Sequence, residues 1–240
     1  MNPQAAEYLR LTKVLNEDPG YKYLKKRKQH EQSLLIFGGN FADLMRVLDF
    51  IENQDNISEV WRVEAREKQS FLHNEIIRHL HNLLSSSQSL VSHTRSYMRT
   101  HHKGQPIFKL YETEVQKTFA QNPLALFIKD LRNYFLHKGI PVSKMEVSFD
   151  TETKEPPISK FSLNKLELIS WSQWCSGSKT YLNSCEDDLS LRNTVHKYQQ
   201  EISNFYQWFN DALNNLHKDE LAVYEALCEE YRTFETRYSK

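Results

Sequence analysis

Residues 122–141 read NPLALFIKDLRNYFLHKGIP, and this stretch carries the signals of both ends of one helix. Asn122 is a favourable N-cap, and Pro123 suits the first helical position, where an N–H would have no acceptor within the helix. Gly139 suits the left-handed residue just past the last turn, and Pro141 cannot continue a helix. The sequence therefore predicts a helix that starts at Pro123 and ends just before Gly139.

This helix is amphipathic. At about 100° per residue its apolar side chains fall on one arc, which we expect to face a core. Arg132 lies at one border of that arc, whereas Asn133 and His137 lie roughly opposite and are neighbours at i and i+4. The polar group is therefore expected to point out of the bundle. The apolar arc consists of Leu124, Phe127, Ile128, Leu131, Tyr134 and Phe135.

Few residues interrupt helices elsewhere, since the 240 residues include 6 Gly and 7 Pro. This scarcity favours long helices over a turn-rich fold. Gly38, Gly39 and Asn40 predict a break, and Ser85–Ser87 marks either a kink or a close approach of two helices. A last helix of fifty residues would be about 75 Å long, so we expect a break near His217–Asp219. The sequence pattern predicts helices over residues 3–16, 41–51, 57–102 (one helix or two in line), from just after Pro106 to about Ala120, 191–213 and 221–234.

Residues 144–163 have a different pattern. Apolar and polar residues alternate from Met145 to Phe149, which indicates a strand with one buried face. Residues 151–157 are typical of a loop, and residues 158–163 predict a second strand. We therefore expect a small β-hairpin in this part of the chain.

A short helix is predicted after the hairpin. Asn164 can cap it, and Glu167 lies three residues later, as in a capping box. Trp171 and Trp174 are expected on one face of this helix. Packing in the core explains the two indoles best, and a pocket beside them for a regulatory ligand is a weaker alternative.

These elements predict a mainly α protein, an antiparallel helical bundle with a small β-hairpin insertion near residues 144–163. No linker-like segment divides the chain, so we expect a single domain over residues 1–240. With 39% hydrophobic and 26% charged residues, the chain is able to bury a substantial core.

Charge and cysteine content exclude several classes of protein. Lys and Arg number 31, as do Asp and Glu, so the chain lacks the positive excess common in proteins that bind double-stranded nucleic acid. Three cysteines without a CxxC pair do not fit a disulfide framework or a zinc ribbon. No apolar run is long enough for a membrane span, and the first residues lack a signal-peptide pattern. We expect a cytoplasmic protein with no cofactor and no membrane partner.

The segment RNYFLH, Arg132 to His137, resembles the Arg-x4–6-His motif of the HEPN superfamily, a set of helical bundles found in many bacterial toxins and RNases. Asn133 supplies the polar residue that often follows the Arg in that family. The surrounding LRNYFLHKGIP, with the hairpin and the helix after it, is also similar to a group of uncharacterised bacterial helical proteins. The HEPN resemblance implies metal-independent RNA cleavage of a defence or toxin type, with two such helices facing each other across a homodimer.

The residue types suit that chemistry. RNA cleavage requires removal of the proton from a 2′-OH and stabilisation of charge on the phosphate. An imidazole, whose reference pKa is about 6.5, can act as general acid or base, which is the role expected for His137. The guanidinium of Arg132 matches phosphate oxygens, and Asn133 can orient either the imidazole or the phosphate.

A structural role is the alternative for the same three residues. Polar side chains are normal on the outer face of an amphipathic helix, and a His in the last turn is favourable against the helix dipole. Arg132 can also pair with an acidic residue. The protein would then be a non-catalytic interaction module with a protein partner, and we would expect Arg132 and His137 to be held by hydrogen bonds within the chain.

Two further sets of residues are candidates for binding. The basic stretch YKYLKKRKQH, residues 21–30, combines tyrosines that can stack on bases with cations that can follow phosphates, although a solvated helix face or a flexible basic segment explains it better. Its candidate RNA contacts are Lys25, Lys26, Arg27 and Lys28. Five histidines lack the spacing of a familiar metal site, so we predict no metal. They are His73, His79, His81, His101 and His102.

Overall fold

The computed structural model describes residues 3–149, 156–185 and 188–238. These residues form ten α-helices and one small sheet, which confirms the mainly α prediction with a small β insertion. The helices are α1 (Pro3–Glu17), α2 (Pro19–Glu52), α3 (Gln54–Val60), α4 (Arg66–His102), α5 (Pro106–Val115), α6 (Pro123–His137), α7 (Lys165–Ile169), α8 (Ser176–Ser184), α9 (Leu191–Leu216) and α10 (Lys218–Tyr238), and the strands are β1 (Ser143–Ser148), β2 (Ile158–Leu163) and β3 (Leu189–Ser190).

Helix α2 runs without interruption and packs along α4. The predicted break at Gly38–Asn40 is therefore wrong. Gly38 and Gly39 lie on the exposed side of the helix, while Phe37 and Leu44 are buried before and after them. Burial of such side chains contributes about 1.5–3 kcal/mol each, which exceeds the roughly 1 kcal/mol that each glycine costs a helix.

The helix expected over residues 57–102 is two helices that are not continuous. Helix α3 ends at Val60, and a 3₁₀ turn precedes α4. The half-buried Trp61 lies in this bend, where its indole Nε1 donates a hydrogen bond to Ser159 Oγ of β2 at 3.2 Å. This contact holds the chain away from a straight helical path.

The serine run of α4 marks a close approach between helices and not a kink. Helix α4 continues through Ser85–Ser87, and Ser86 and Ser87 are buried. The Oγ of Ser87 lies 2.6 Å from the hydroxyl of Tyr198 on α9. Small side chains at this point allow α9 to pack against α4.

The predicted hairpin is confirmed and acquires a third strand. Strands β1 and β2 are antiparallel, with Ser143 opposite Leu163 and Ser148 opposite Ile158. Strand β3 pairs antiparallel with the other edge of β2. Two residues are too few to produce a sequence pattern, so β3 was not predicted. Residues 150–155, most of the predicted loop, lie outside the described residues.

The two tryptophans do not lie on the helix predicted for them. Helix α7 ends at Ile169, and Trp171 and Trp174 follow in a turn with their ring centroids 4.8 Å apart. The indole Nε1 of Trp174 donates to the Leu168 carbonyl at 2.6 Å, and its ring stacks on Phe127 of α6. Core packing, the preferred prediction, is therefore confirmed, although the helix stops before both rings.

The C-terminal helices follow the predicted pattern. Helix α9 ends at Leu216 and α10 begins at Lys218, so the break near His217 is confirmed. Helix α10 packs against α1 and α2 with half-buried side chains. The predicted stripe on α9 is buried throughout, at Leu191, Val195, Tyr198, Ile202, Phe205, Phe209 and Leu213.

A buried histidine connects α2 to α4 and α9. His30 is 7% exposed, and its Nε2 lies 2.9 Å from Thr94 Oγ1, which also contacts the hydroxyl of Tyr206. Burial lowers the pKa of His30 to about 4, against a smaller opposing effect of the nearby Glu31 carboxylate. The imidazole is therefore neutral in the folded protein at neutral pH.

His30 should make the protein less stable in mild acid. Between about pH 6.5 and pH 4 the unfolded chain binds a proton at His30 that the folded chain does not, so the free energy of unfolding falls by about 3 kcal/mol as the pH decreases. We expect His30→Gln to reduce this loss, measured by urea unfolding at several pH values. His196 is exposed, so His196→Gln is the control. The prediction is contradicted if the free energy of unfolding depends on pH equally in both variants and the parent.

Candidate functional site

Both ends of α6 have the predicted geometry. The side-chain Oδ1 of Asn122 accepts hydrogen bonds from the backbone N–H of Leu124 at 2.9 Å and of Ala125 at 3.4 Å. At the other end Gly139 has φ 129°, a conformation that favours glycine, and its N–H donates to the Tyr134 carbonyl at 3.0 Å. The first and last residues of α6 are therefore well defined, and with them the direction in which each side chain leaves the helix.

The apolar face of α6 is buried against α4, α8 and α9. Phe135 alone among the predicted core residues is half-buried, and its ring lies 6.0 Å from the exposed His81 of α4. Two residues that the helical wheel did not select, Ala125 and Asp130, are buried as well. The buried members of the predicted arc are Leu124, Phe127, Ile128, Leu131 and Tyr134.

Asp130 attaches α6 to α8. Its Oδ2 accepts hydrogen bonds from the backbone N–H of Cys175 at 2.9 Å and from Ser178 Oγ at 2.8 Å. The carboxylate thus supplies a cap for the first turn of α8 that Cys175 itself does not provide. Next to this contact, Gly177 leaves room for the side chain of Leu126, with which any larger residue would collide.

The three candidate catalytic residues lie on the outer part of α6. Arg132 and Asn133 are half-buried, and His137 is exposed. None of the three side chains forms a hydrogen bond or an ion pair with any residue that the structure describes. The internal hydrogen bonds expected for a purely structural role are therefore not observed.

Helix geometry divides this group into two directions. Asn133 and His137 are separated by about 40° around the axis, so they share one surface. Arg132 and His137 are separated by about 140° and by about 7.5 Å along the axis. Arg132 lines a cavity on the side of α4 and α9, together with Lys129 one turn earlier.

This cavity lies between α4, α5, α6 and α9 and has a volume of about 370 Å³. Its deepest walls are apolar and aromatic, and include Leu84, Ile128 and Phe205. Three cationic side chains complete the lining, namely Arg95, Lys129 and Arg132. Arg95 and Lys129 were not selected from the sequence. The spacing of Lys129 and Arg132 at i and i+3 could have suggested a common face, but the position of Arg95 depends on how α4 packs against α6.

The basic stretch of residues 21–30 forms part of α2. Lys25, Lys26 and Lys28 are exposed, whereas Arg27 forms an ion pair with Glu31 at 2.6 Å and contacts Asn214. Lys26 lines a second cavity, of about 240 Å³, with His93 and Tyr97 of α4. That cavity is on a different face of α4 from the one that Arg132 lines, so the two cationic groups do not share a cavity.

The five candidate histidines are distributed over the molecule. His73 lies 2.8 Å from Ser143 Oγ, and His79 lies 3.7 Å from the Glu75 carboxylate. His101 and His102 adjoin the Tyr97 ring. Within the described residues, His, Cys, Asp and Glu form no group of three or more that could hold a metal ion.

Comparisons with protein-family models, with curated proteins and with solved structures found no match to this chain. The HEPN assignment therefore rests on the residues of α6 and stays a prediction. Among the described helices, none combines the length and the apolar character that crossing a membrane requires.

Removal of the Asp130 carboxylate should destabilise the protein. In Asp130→Ala the N–H of Cys175 and the hydroxyl of Ser178 lose their acceptor, and we expect the free energy of unfolding to fall by about 2 kcal/mol. Asp130→Asn keeps one side-chain oxygen as acceptor and should lose less. Chemical denaturation followed by circular dichroism measures both variants, and an Asp130→Ala protein as stable as the parent would show that this contact contributes nothing.

Proposed function

We propose that the protein is a HEPN-like, metal-independent endoribonuclease whose reaction centre is the outer face of α6. One observation carries this proposal. On α6, His137 is exposed and Arg132 and Asn133 are half-buried, and none of the three side chains forms a hydrogen bond or an ion pair with any described residue. Polar groups without internal partners are available to a ligand, and RNA is the ligand that the motif implies.

The residues support one sequence of events. His137 accepts the proton of a 2′-OH, the 2′-oxygen bonds to the adjacent phosphorus, and the bond from phosphorus to the 5′-oxygen breaks. The products are a 2′,3′-cyclic phosphate and a 5′-OH, whose proton comes from a general acid or from water. Arg132 stabilises the negative charge that develops on the phosphate oxygens. Because the helix directs Arg132 about 140° away from His137, its long side chain has to reach around α6 toward the same phosphate.

Asn133 has a positioning role in this scheme. It is the surface neighbour of His137 at i and i+4, so its amide is within reach of either the imidazole or a phosphate oxygen. The half-burial of Asn133 limits the directions its side chain can take. An amide that is already held in position loses less conformational entropy when the substrate binds.

The central test is RNA cleavage in EDTA, where no metal ion can contribute. We expect the parent protein to cut a mixed RNA and His137→Ala to be about 100-fold slower or worse, because general acid–base catalysis commonly contributes 10² or more. Arg132→Gln should also be slower. The product ends are identified by their 2′,3′-cyclic phosphate.

His196→Ala is the matched control, because His196 is an exposed histidine on α9 beside Phe41 of α2. Equal rates for His137→Ala and the parent would show that the assignment of His137 is wrong. A folded parent protein that leaves RNA intact would support the non-catalytic interaction module instead.

A homodimer is part of the proposal. Three large apolar side chains close to His137 in the chain are exposed, namely Leu136 at 51%, Ile140 at 68% and Val142 at 50%. Exposed apolar residues in one segment are a feature of surfaces that associate. A second copy placed against this segment would bring a second His137 near the first.

We expect Ile140→Glu to shift the protein from dimer to monomer in analytical ultracentrifugation. The rate of RNA cleavage should fall in proportion to the fraction of dimer that is lost. The charge would be costly to bury between two copies. Leu35→Glu is the control, since Leu35 is an equally exposed apolar residue, at 74%, on α2. A parent protein that cleaves RNA as a monomer would exclude the dimer from the mechanism.

A further inference from the structure

The cavity between α4, α5, α6 and α9 has an apolar interior. Its volume of about 370 Å³ falls in the range of small-molecule sites in proteins. The hydroxyls of Ser87 and Thr94 line it, but each already contacts a tyrosine hydroxyl of α9. The interior therefore offers few free polar groups, and it suits an apolar body better than a nucleobase, whose polar edges need partners.

The mouth of the cavity is cationic. Among the lining residues the exposed ones are Arg95, Lys129 and Ala120, and Arg132 is half-buried. None of the three cations forms a hydrogen bond or an ion pair with a described residue, and no Asp or Glu lines the cavity. A bound anion would supply the counterion that the described residues do not give these cations.

A tyrosine hydroxyl provides a second, independent observation. Tyr111 lines the cavity and is 6% exposed, yet its hydroxyl forms no hydrogen bond with any described residue. Burial raises the pKa of Tyr111, while the nearby cations Arg95 and Arg99 act to lower it and Glu112 acts to raise it. A neutral hydroxyl close to cations is a suitable donor to a negatively charged head group.

The backbone beside the cavity is also unusual. After α5 the chain makes a π-helical turn over Gln116–Ala120, closed by the hydrogen bond from the Gln121 N–H to the Gln116 carbonyl at 3.1 Å. Phe119 and Ala120 of this turn line the cavity. Turns of this kind are rare in helices generally, but many of those that occur are at functional sites. The wider turn moves side chains out of their helical register.

We propose that this cavity binds a small amphipathic anion, with an apolar body inside and a carboxylate or phosphate head group at Arg95, Lys129 and Tyr111. The apolar walls exclude water from the body of the ligand, and the cations, which have no ion pair with a described residue, favour a negatively charged head group. Arg132 borders both this site and the proposed RNA site, but ligand binding here does not require the protein to be a ribonuclease.

Isothermal titration calorimetry with four probes tests the proposal. Octanoate and octyl phosphate carry both features, 1-octanol has the chain without the charge, and inorganic phosphate has the charge without the chain. We expect the tighter of the two octyl anions to bind with a dissociation constant of about 0.1 mM, and both 1-octanol and inorganic phosphate to bind at least about tenfold more weakly. The preferred head group distinguishes a carboxylate ligand from a phosphate ester.

Two variants locate the binding. Arg95→Gln with Lys129→Gln should weaken binding of the octyl anions about tenfold, whereas Lys13→Gln with Lys218→Gln removes two exposed cations of α1 and α10 and should leave their affinity unchanged. Val91→Phe places a larger side chain in the cavity lining and should weaken both octyl anions and 1-octanol, with folding verified by thermal unfolding.

The proposal is overturned if neither octyl anion binds, if 1-octanol binds as tightly as the anions, or if the Arg95 and Lys129 double variant keeps the affinity of the parent. These outcomes are independent of the ribonuclease proposal. Arg132, Asn133 and His137 stay unchanged in every variant, so RNA cleavage by the parent can succeed or fail without affecting the binding result.

Discussion

The burial of one face of α6 is the interaction on which the rest of the site depends. Helices α4, α8 and α9 cover that face, and Phe127 and Leu131 are fully buried beneath them. Each such side chain contributes about 1.5–3 kcal/mol, far more than any exposed contact could. Because the apolar face cannot rotate out of the core, the remaining positions of α6 have fixed directions, and the buried Asp130 attaches α8 to the same helix.

These fixed directions separate the polar residues of α6 into two groups. Asn133 and His137 face away from the core, where a large substrate such as RNA could approach. Lys129 and Arg132 border the cavity that α9 closes. Both proposals involve a negatively charged oxygen at the same helix, but the head group in the cavity is assigned to Arg95, Lys129 and Tyr111 and not to Arg132. The two proposals are therefore tested separately.

Local signals in the sequence predicted local structure well. The cap at Asn122, the positive φ at Gly139 and the break at His217 each depend on a few neighbouring residues, and all three are present. A prediction that competed with tertiary burial was wrong, since Gly38–Asn40 stays helical because core side chains around it are buried. Residues 57–102, predicted as one helix or two in line, form two helices, and between them Trp61 bonds to a strand almost a hundred residues away.

The sequence by itself determined that the protein is mainly helical, where several helices end, and which face of α6 is apolar, since capping and amphipathic periodicity are short-range properties. It also placed Asn133 and His137 together, because they are one turn apart. Only the tertiary structure decided that Arg95 of α4 and Lys129 of α6 line one cavity with Tyr111, whose hydroxyl has no hydrogen-bond partner among the described residues. These residues are on three helices, and their proximity depends on how the helices pack, which no local pattern encodes.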